Sequence, residues 1–290
     1  MKKAHIISHS HWDREWYLPY EKHHMLFIEL MDTLLDTLEK DPEYRSFHLD
    51  GQTILLEDYL QVRPEKKEKL KKAIEQGKII IGPWYVLQDE FLTSSEANVR
   101  NLLIGHREAQ KYGPVCKVGP SDLAIIKGEL RSQKTDGWYT LVNTASSRIY
   151  LKQMNQRCQT LFEKVAEPLA TIAYCHGKEY PHSIFVYGWK TLMQNHPHDS
   201  ICGCSVDEVH REMVTRFEKA EQIGQYLIEE SMNYLGSKMD TTSFPCNGEG
   251  IYPFMVLNST GWERSGVVTV ELEVAKKYFK EVLLDKVCNS

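Results

Sequence analysis

The sequence predicts an α/β protein: a parallel sheet covered by helices, then an all-α bundle, then the start of a β domain. Three observations predict that order. Short apolar runs alternate with helical patterns over residues 3–112, which is how a parallel sheet with helices on its faces reads. Residues 138–238 keep helical spacing almost throughout. Beyond a Pro/Gly-rich joint, FPCNGEGIYPF, the runs MVLNST and GVVTVELEV turn β-like, the second alternating with period two.

Residues 3–8 read as a short buried strand. Over residues 22–39, Met25, Ile28, Leu30, Met31, Leu34, Leu35 and Leu38 recur at helical spacing. RSFHL at 45–49 is a second strand, closed by Asp50-Gly51. Residues 52–61 and 65–76 read as helices, with Gly77 as the stop. KIII at 78–81 is a third strand, ended by Gly82-Pro83, and 94–112 is another helix with Ser94 or Ser95 as N-cap. Residues 141–174 read as one long amphipathic helix interrupted near Pro168. SIFVYGWKTLMQN and residues 205–239 give two more, and three helices with short loops suggest an antiparallel bundle. The implied boundaries are 1–137, 138–240 and 241–290.

Net charge is −5 and the one lysine-rich run, RPEKKEKLKKAIEQGK, is interleaved with Glu65, Glu68 and Glu75. That is a solvated helix face, and nucleic acid is not expected as a partner. No run approaches the ~20 apolar residues of a membrane span, so no membrane partner is expected. MKK passes directly into AHIIS and then charges, without the apolar core of a signal peptide. The seven cysteines are odd in number and irregularly spaced, so reduced thiols and a cytoplasmic location are expected. Association into a homo-oligomer is left open.

In a parallel sheet, ligands sit beyond the carboxyl ends of the strands, and HSHWD falls there. Alternating residues of an extended segment point the same way, so His9, His11 and Asp13 can converge. Imidazole nitrogen with carboxylate oxygen suits a borderline divalent ion, zinc above all. The alternative is a polar strand end bonded to nearby backbone. NHPHDSICGC places His196, His198 and Asp199 beyond a helix end, and two such pockets far apart in sequence are what a site assembled by folding needs. Trp12, Trp16, Tyr17, Trp84 and Tyr85 crowd the same edge beside Glu15, Asp89 and Glu90. Rings beside carboxylates fit a sugar; ordinary packing is the alternative.

HIISHSHWDREWYLPYE, HLDGQTILLEDYL, IIIGPWYVLQDEFLTSSEANVRNLLIGHREA and WKTLMQNHPHDSICGCSVDEVH resemble bacterial glycoside hydrolase family 38 α-mannosidases, over about residues 3–118 and 123–270. The resemblance implies a retaining α-mannosidase acting on α-mannoside oligosaccharides with one zinc ion. It matches His11, Asp13 and His198 to metal ligands, with the catalytic Asp as a further ligand, and Trp16 and Asp199 to sugar-contacting residues. His9 would orient the ligands. It also implies an α/β barrel-like catalytic domain, a three-helix bundle and β-sandwich domains.

The chain departs from that family after Gly119, where a Pro-Asp-x-Phe-Gly-like motif with the nucleophile is expected. Gly119 runs instead into PSDLAIIKGELRSQKTDGWYT, whose only aspartates, Asp122 and Asp136, lack the required neighbours. A closed eight-stranded barrel takes ~250 residues, whereas about 135 precede the helical part. The barrel-like sheet is therefore expected to be incomplete. The nucleophile and acid/base are not identifiable, so a chain of this sequence is expected to be inactive. Two other readings stand beside this one: a non-catalytic zinc- and mannose-binding remnant, and a metal-dependent amide or ester hydrolase with Glu15 as base.

Overall fold

A computed structural model describes residues 6–114, 146–240 and 253–271, with Ala4, Thr144 and Thr242. Two strands pair in parallel, β1 (Phe47–His48) with β2 (Ile79–Ile80). The chain between them forms α2 (Ile54–Val62), a 3-10 turn (Pro64–Lys66) and α3 (Lys67–Glu75), the crossover that parallel pairing requires. α1 (Tyr20–Lys40) lies ahead of them and buries Phe27, Ile28, Met31, Leu34, Leu35 and Leu38. α4 (Ser95–Gln110) follows β2, and the Ser94 hydroxyl accepts from the Ala97 amide at 3.0 Å, the expected N-cap.

The first expected strand is a correction. Residues 8–10 run beside β1 through two hydrogen bonds, His48 N–H to Ser8 O (2.9 Å) and Ser10 N–H to His48 O (3.2 Å). They form only a single parallel bridge, His9 to His48. Ile6 and Ile7 are 94% and 68% exposed, not buried. A strand is buried by its neighbours, and no further strand flanks this segment among the described residues.

The described residues from 146 to 240 are mostly helical. α5 (Ile149–Thr160), a π-helical turn (Leu161–Ala166) and α6 (Glu167–Cys175) make one continuous rod. Pro168 has no N–H to give the preceding turn, which accounts for the widened turn just before it. α7 (His182–Met193) and α9 (Asp207–Ser237) pack against this rod. Trp189, Phe162, Phe185 and Phe217 form their buried centre. A five-residue helix, α8 (His198–Cys202), precedes α9 and was not legible as a separate element. Residues 253–271 hold no regular element and are mostly exposed. MVLNST therefore pairs with nothing among the described residues, and the later part of GVVTVELEV lies outside them.

Ion pairs join the two helical regions. Lys190 on α7 reaches Glu57 on α2 and, at 2.8 Å, Glu108 on α4. Arg100 on α4 pairs with Glu167 on α6 at 2.5 Å.

Candidate metal centre

Once the backbone pairing of residues 8–10 ends, the HSHWD segment turns across the carboxyl end of β1. There Asp50 and Gly51 both take positive φ, 48° and 78°, a conformation glycine adopts freely and aspartate tolerates. The turn sets the Asp50 carboxylate against His11: Nδ1–H donates to Oδ2 at 2.5 Å. His198, the first residue of α8, donates both its amide and its Nδ1–H to the Leu87 carbonyl, at 3.2 and 3.3 Å. Each imidazole thus has Nδ1 committed and Nε2 turned to a common point.

That point is Asp13. Its Oδ1 lies 3.2 Å from His11 Nε2 and 3.3 Å from His198 Nε2, and the two rings stand 5.3 Å apart. All three donor atoms fall within 4.8 Å of one another. Ligands at the 2.0–2.2 Å typical of zinc to His and Asp are about 3.3 Å apart along a tetrahedral edge. Both separations from Asp13 match that edge, so the donor set and these two spacings fit zinc. Both imidazoles of this candidate set have a backbone or carboxylate partner on the other ring nitrogen, as orienting contacts do at metal sites.

The electrostatics follow. Burial pushes the Asp13 carboxyl up, but the His198 hydrogen bond and the His11 charge outweigh it, and the net shift is downward. The hydrogen bond to Asp13 raises His198. Burial raises Asp199, whose Oδ2 is 3.6 Å from His198 Nε2 and whose Oδ1 accepts from the Cys204 thiol at 3.2 Å.

Other expected site residues have contacts of their own. Trp16 is 39% exposed, its ring edge-on to Tyr17 at 5.0 Å, and its carbonyl accepts from Val206 N–H at 2.9 Å. Tyr85 is a correction: it is buried, donates to Glu57 at 3.0 Å and lies under Lys190. It packs the core instead of facing ligand. Trp12 likewise packs on Phe27 and His23. Asp89 accepts from the Phe91 and Leu92 amides and the Cys202 thiol, a loop-holding role. His196 is buried against Asn155 at 2.9 Å, and burial lowers its pKa to about 3. His9 is exposed, and Asp50, not His9, orients His11. Glu15 is 1% exposed and bound to Arg216 and Ser200, so it has no access to serve as a base. Asp122 and Asp136 lie outside the described residues. Asp50 and the Leu87 carbonyl were missed in sequence; the Asp-Gly pair marked the turn, while a carbonyl leaves no signature.

Residues 1–119 match the glycosyl hydrolases family 38 N-terminal domain. Residues 140–235 match the alpha mannosidase middle domain, and 249–290 the family 38 C-terminal domain 1. A candidate mannosylglycerate hydrolase of Halalkalibacterium halodurans is 35% identical, over 97% of this chain and 48% of the relative. The match extends over 432 residues, more than the 290 of this chain, so the relative carries residues inside the matched span that this chain lacks. An alpha-mannosidase from Enterococcus faecalis V583 superposes with a TM-score of 0.77 at 40% identity, covering 82% of this chain and 43% of that one. A glycosyl hydrolase family 38 protein from Enterococcus faecalis gives 0.70 at 42% identity, covering 82% and 41%. The chain spans less than half the length of these relatives. The sequence motifs, the helical architecture and the domain matches agree, and the chain belongs to glycosyl hydrolase family 38.

Proposed function

We propose that this chain carries the zinc- and sugar-binding half of a retaining α-mannosidase site, for α-mannosides such as mannose-containing oligosaccharides. The observation that carries this reading is the meeting of His11, Asp13 and His198 within 4.8 Å. Those three would hold one zinc ion, which when bound supplies an electrophile for paired hydroxyls of the sugar. Exposed Trp16 offers the sugar a ring face. Asp199, beside His198, accepts from a hydroxyl. The mannosyl group common to the relatives' names supports mannose as the sugar.

A retaining glycosidase needs a nucleophile and an acid/base about 5–5.5 Å apart. Among the described residues near the centre, Asp50 is committed to His11 and Asp199 to Cys204. Among the described residues at the centre, neither carboxylate stands apart as a nucleophile, which favours binding without cleavage. The burial of Glu15 removes the support for an amide or ester hydrolase that used it as base.

The test is metal analysis after dialysis, with an aryl α-mannoside assay and mannose titration of tryptophan fluorescence. The expected result is one zinc per chain, lost in His11→Ala, no turnover, and a mannose response that disappears in Trp16→Phe. A zinc-free wild type overturns the metal reading. Turnover abolished by His11→Ala overturns the inactivity.

A further inference from the structure

Asp13 and His198 come from far apart in the chain, and two residues beyond each stands a link to the other. Glu15 Oε1 accepts from the Ser200 hydroxyl at 3.0 Å across 185 residues of sequence. The same carboxylate takes a forked pair of bonds from Arg216 on α9, Nη1 to Oε1 at 2.6 Å and Nη2 to Oε2 at 2.8 Å. Arg216 is 4% exposed and Ser200 is buried. Arg216 Nη1 also reaches the Gln194 carbonyl at 3.4 Å, on the approach to α8.

We propose that Glu15 and Arg216 are positioning residues that set the register between the HSHWD segment and α8, and so set the affinity of the metal centre. This rests on the metal reading above. A buried ion pair gains little stability over an apolar pair of similar volume, because both charges lose their hydration. What the fork adds is direction: two parallel N–H···O bonds fix the plane of the carboxylate. Glu15 is two residues from Asp13, and its Ser200 partner is two residues from His198. One buried carboxylate therefore ties together the two segments that must bring Asp13 and His198 to 3.3 Å. Apolar contact alone would hold the same segments together while letting them slide.

The test compares wild type with Glu15→Leu/Arg216→Met, which removes both charges together, and with Ser200→Ala, which removes one hydrogen bond. Zinc affinity by chelator competition, the thermal midpoint and the visible spectrum of cobalt-loaded protein are measured on each. The double variant is expected to keep its thermal midpoint while binding zinc ~10–100-fold more weakly, with an altered cobalt spectrum. Ser200→Ala is expected to shift zinc affinity the same way by less. Wild-type zinc affinity and an unchanged spectrum in a folded double variant overturn the proposal. If that variant does not fold, the same result in Ser200→Ala overturns it. A wild type that holds no zinc, or holds it as tightly after His11→Ala, overturns the metal reading and this inference with it.

Discussion

Asp50 holds His11 through a 2.5 Å bond to Nδ1 while standing in a left-handed backbone position at φ 48°. The contact leaves only Nε2 of His11 to face Asp13. Asp50→Ala is expected to weaken zinc binding ~10–100-fold. Asp50→Asn should fall between it and wild type, since the amide oxygen still accepts while the charge is gone. Chelator competition on the two variants measures both. Equal affinity in wild type and Asp50→Ala would remove Asp50 from the site.

Gly105 on α4 faces the chain just after β2 with no room for a side chain. A Cβ there would lie 2.1 Å from the Pro83 carbonyl oxygen, 2.4 Å from Trp84 C and 2.5 Å from Tyr85 N. These are backbone atoms that cannot rotate aside, so Gly105→Ala should cost about 3 kcal/mol. Asn101 fixes the same stretch, accepting from the Tyr85 and Val86 amides at 2.9 Å each. The next residue is Leu87, the partner of His198. Chemical denaturation of Gly105→Ala measures the loss, and a variant as stable as wild type would contradict this packing.

Arg14 and Asp58 form a buried pair, Nε to Oδ2 at 2.7 Å and Nη2 to Oδ1 at 2.9 Å, which Tyr20 joins at 3.0 Å. Asp58→Asn would leave the Arg14 guanidinium buried without a counter-charge. The expected cost is roughly 3–5 kcal/mol, read as a lower midpoint in urea. Arg14→Met/Asp58→Leu should recover most of it. A double variant no better than the single one would mean that the pair contributes more than charge balance.

The Lys190 cluster predicts a pH dependence. Burial acts to raise Glu108, but hydrogen bonds from Lys111 and Lys190 outweigh it, so the folded pKa is depressed. Its share of stability is therefore present above the ordinary glutamate value and lost as pH falls through the folded one. Burial acts to lower Lys190, but the bonds to Glu108 and Glu57 outweigh it and the folded pKa is raised. That share is present below the ordinary lysine value and lost as pH rises through the raised one. The stability gap between wild type and Lys190→Met should be widest near neutral pH and narrow in acid and in strong base. Denaturation curves across pH test this; a gap independent of pH would contradict it.

Helices were legible because their periodicity is local: α1, α4, α7 and α9 fall close to the expected spans, and Pro168 announced the break in the long rod. The strand at residues 3–8 was misjudged because burial of a strand depends on what flanks it, which an apolar run does not state. The same limit applies to rings. Tyr85 and Trp12 look like sugar platforms in sequence, yet one donates to Glu57 from the core and the other packs on Phe27. Residue type and alternation offered His9, His11 and Asp13 and, apart from them, His196, His198 and Asp199; only the family resemblance singled out His11, Asp13 and His198, the three that the fold brings together. Asp50, Arg216 and the Leu87 carbonyl were not, because orienting contacts are chosen by the fold and leave no spacing of their own.

His11 and Asp13 are separated from His198 by most of the described polypeptide, so a metal held there would act as a cross-link. An ion gripping His11, Asp13 and His198 would close a ring of chain running through α1 to α7, and longer rings remove more freedom from the unfolded state. Stripping such an ion would thus be felt well away from those three side chains, as faster proteolytic cutting of the whole first half, with its backbone bonds otherwise intact.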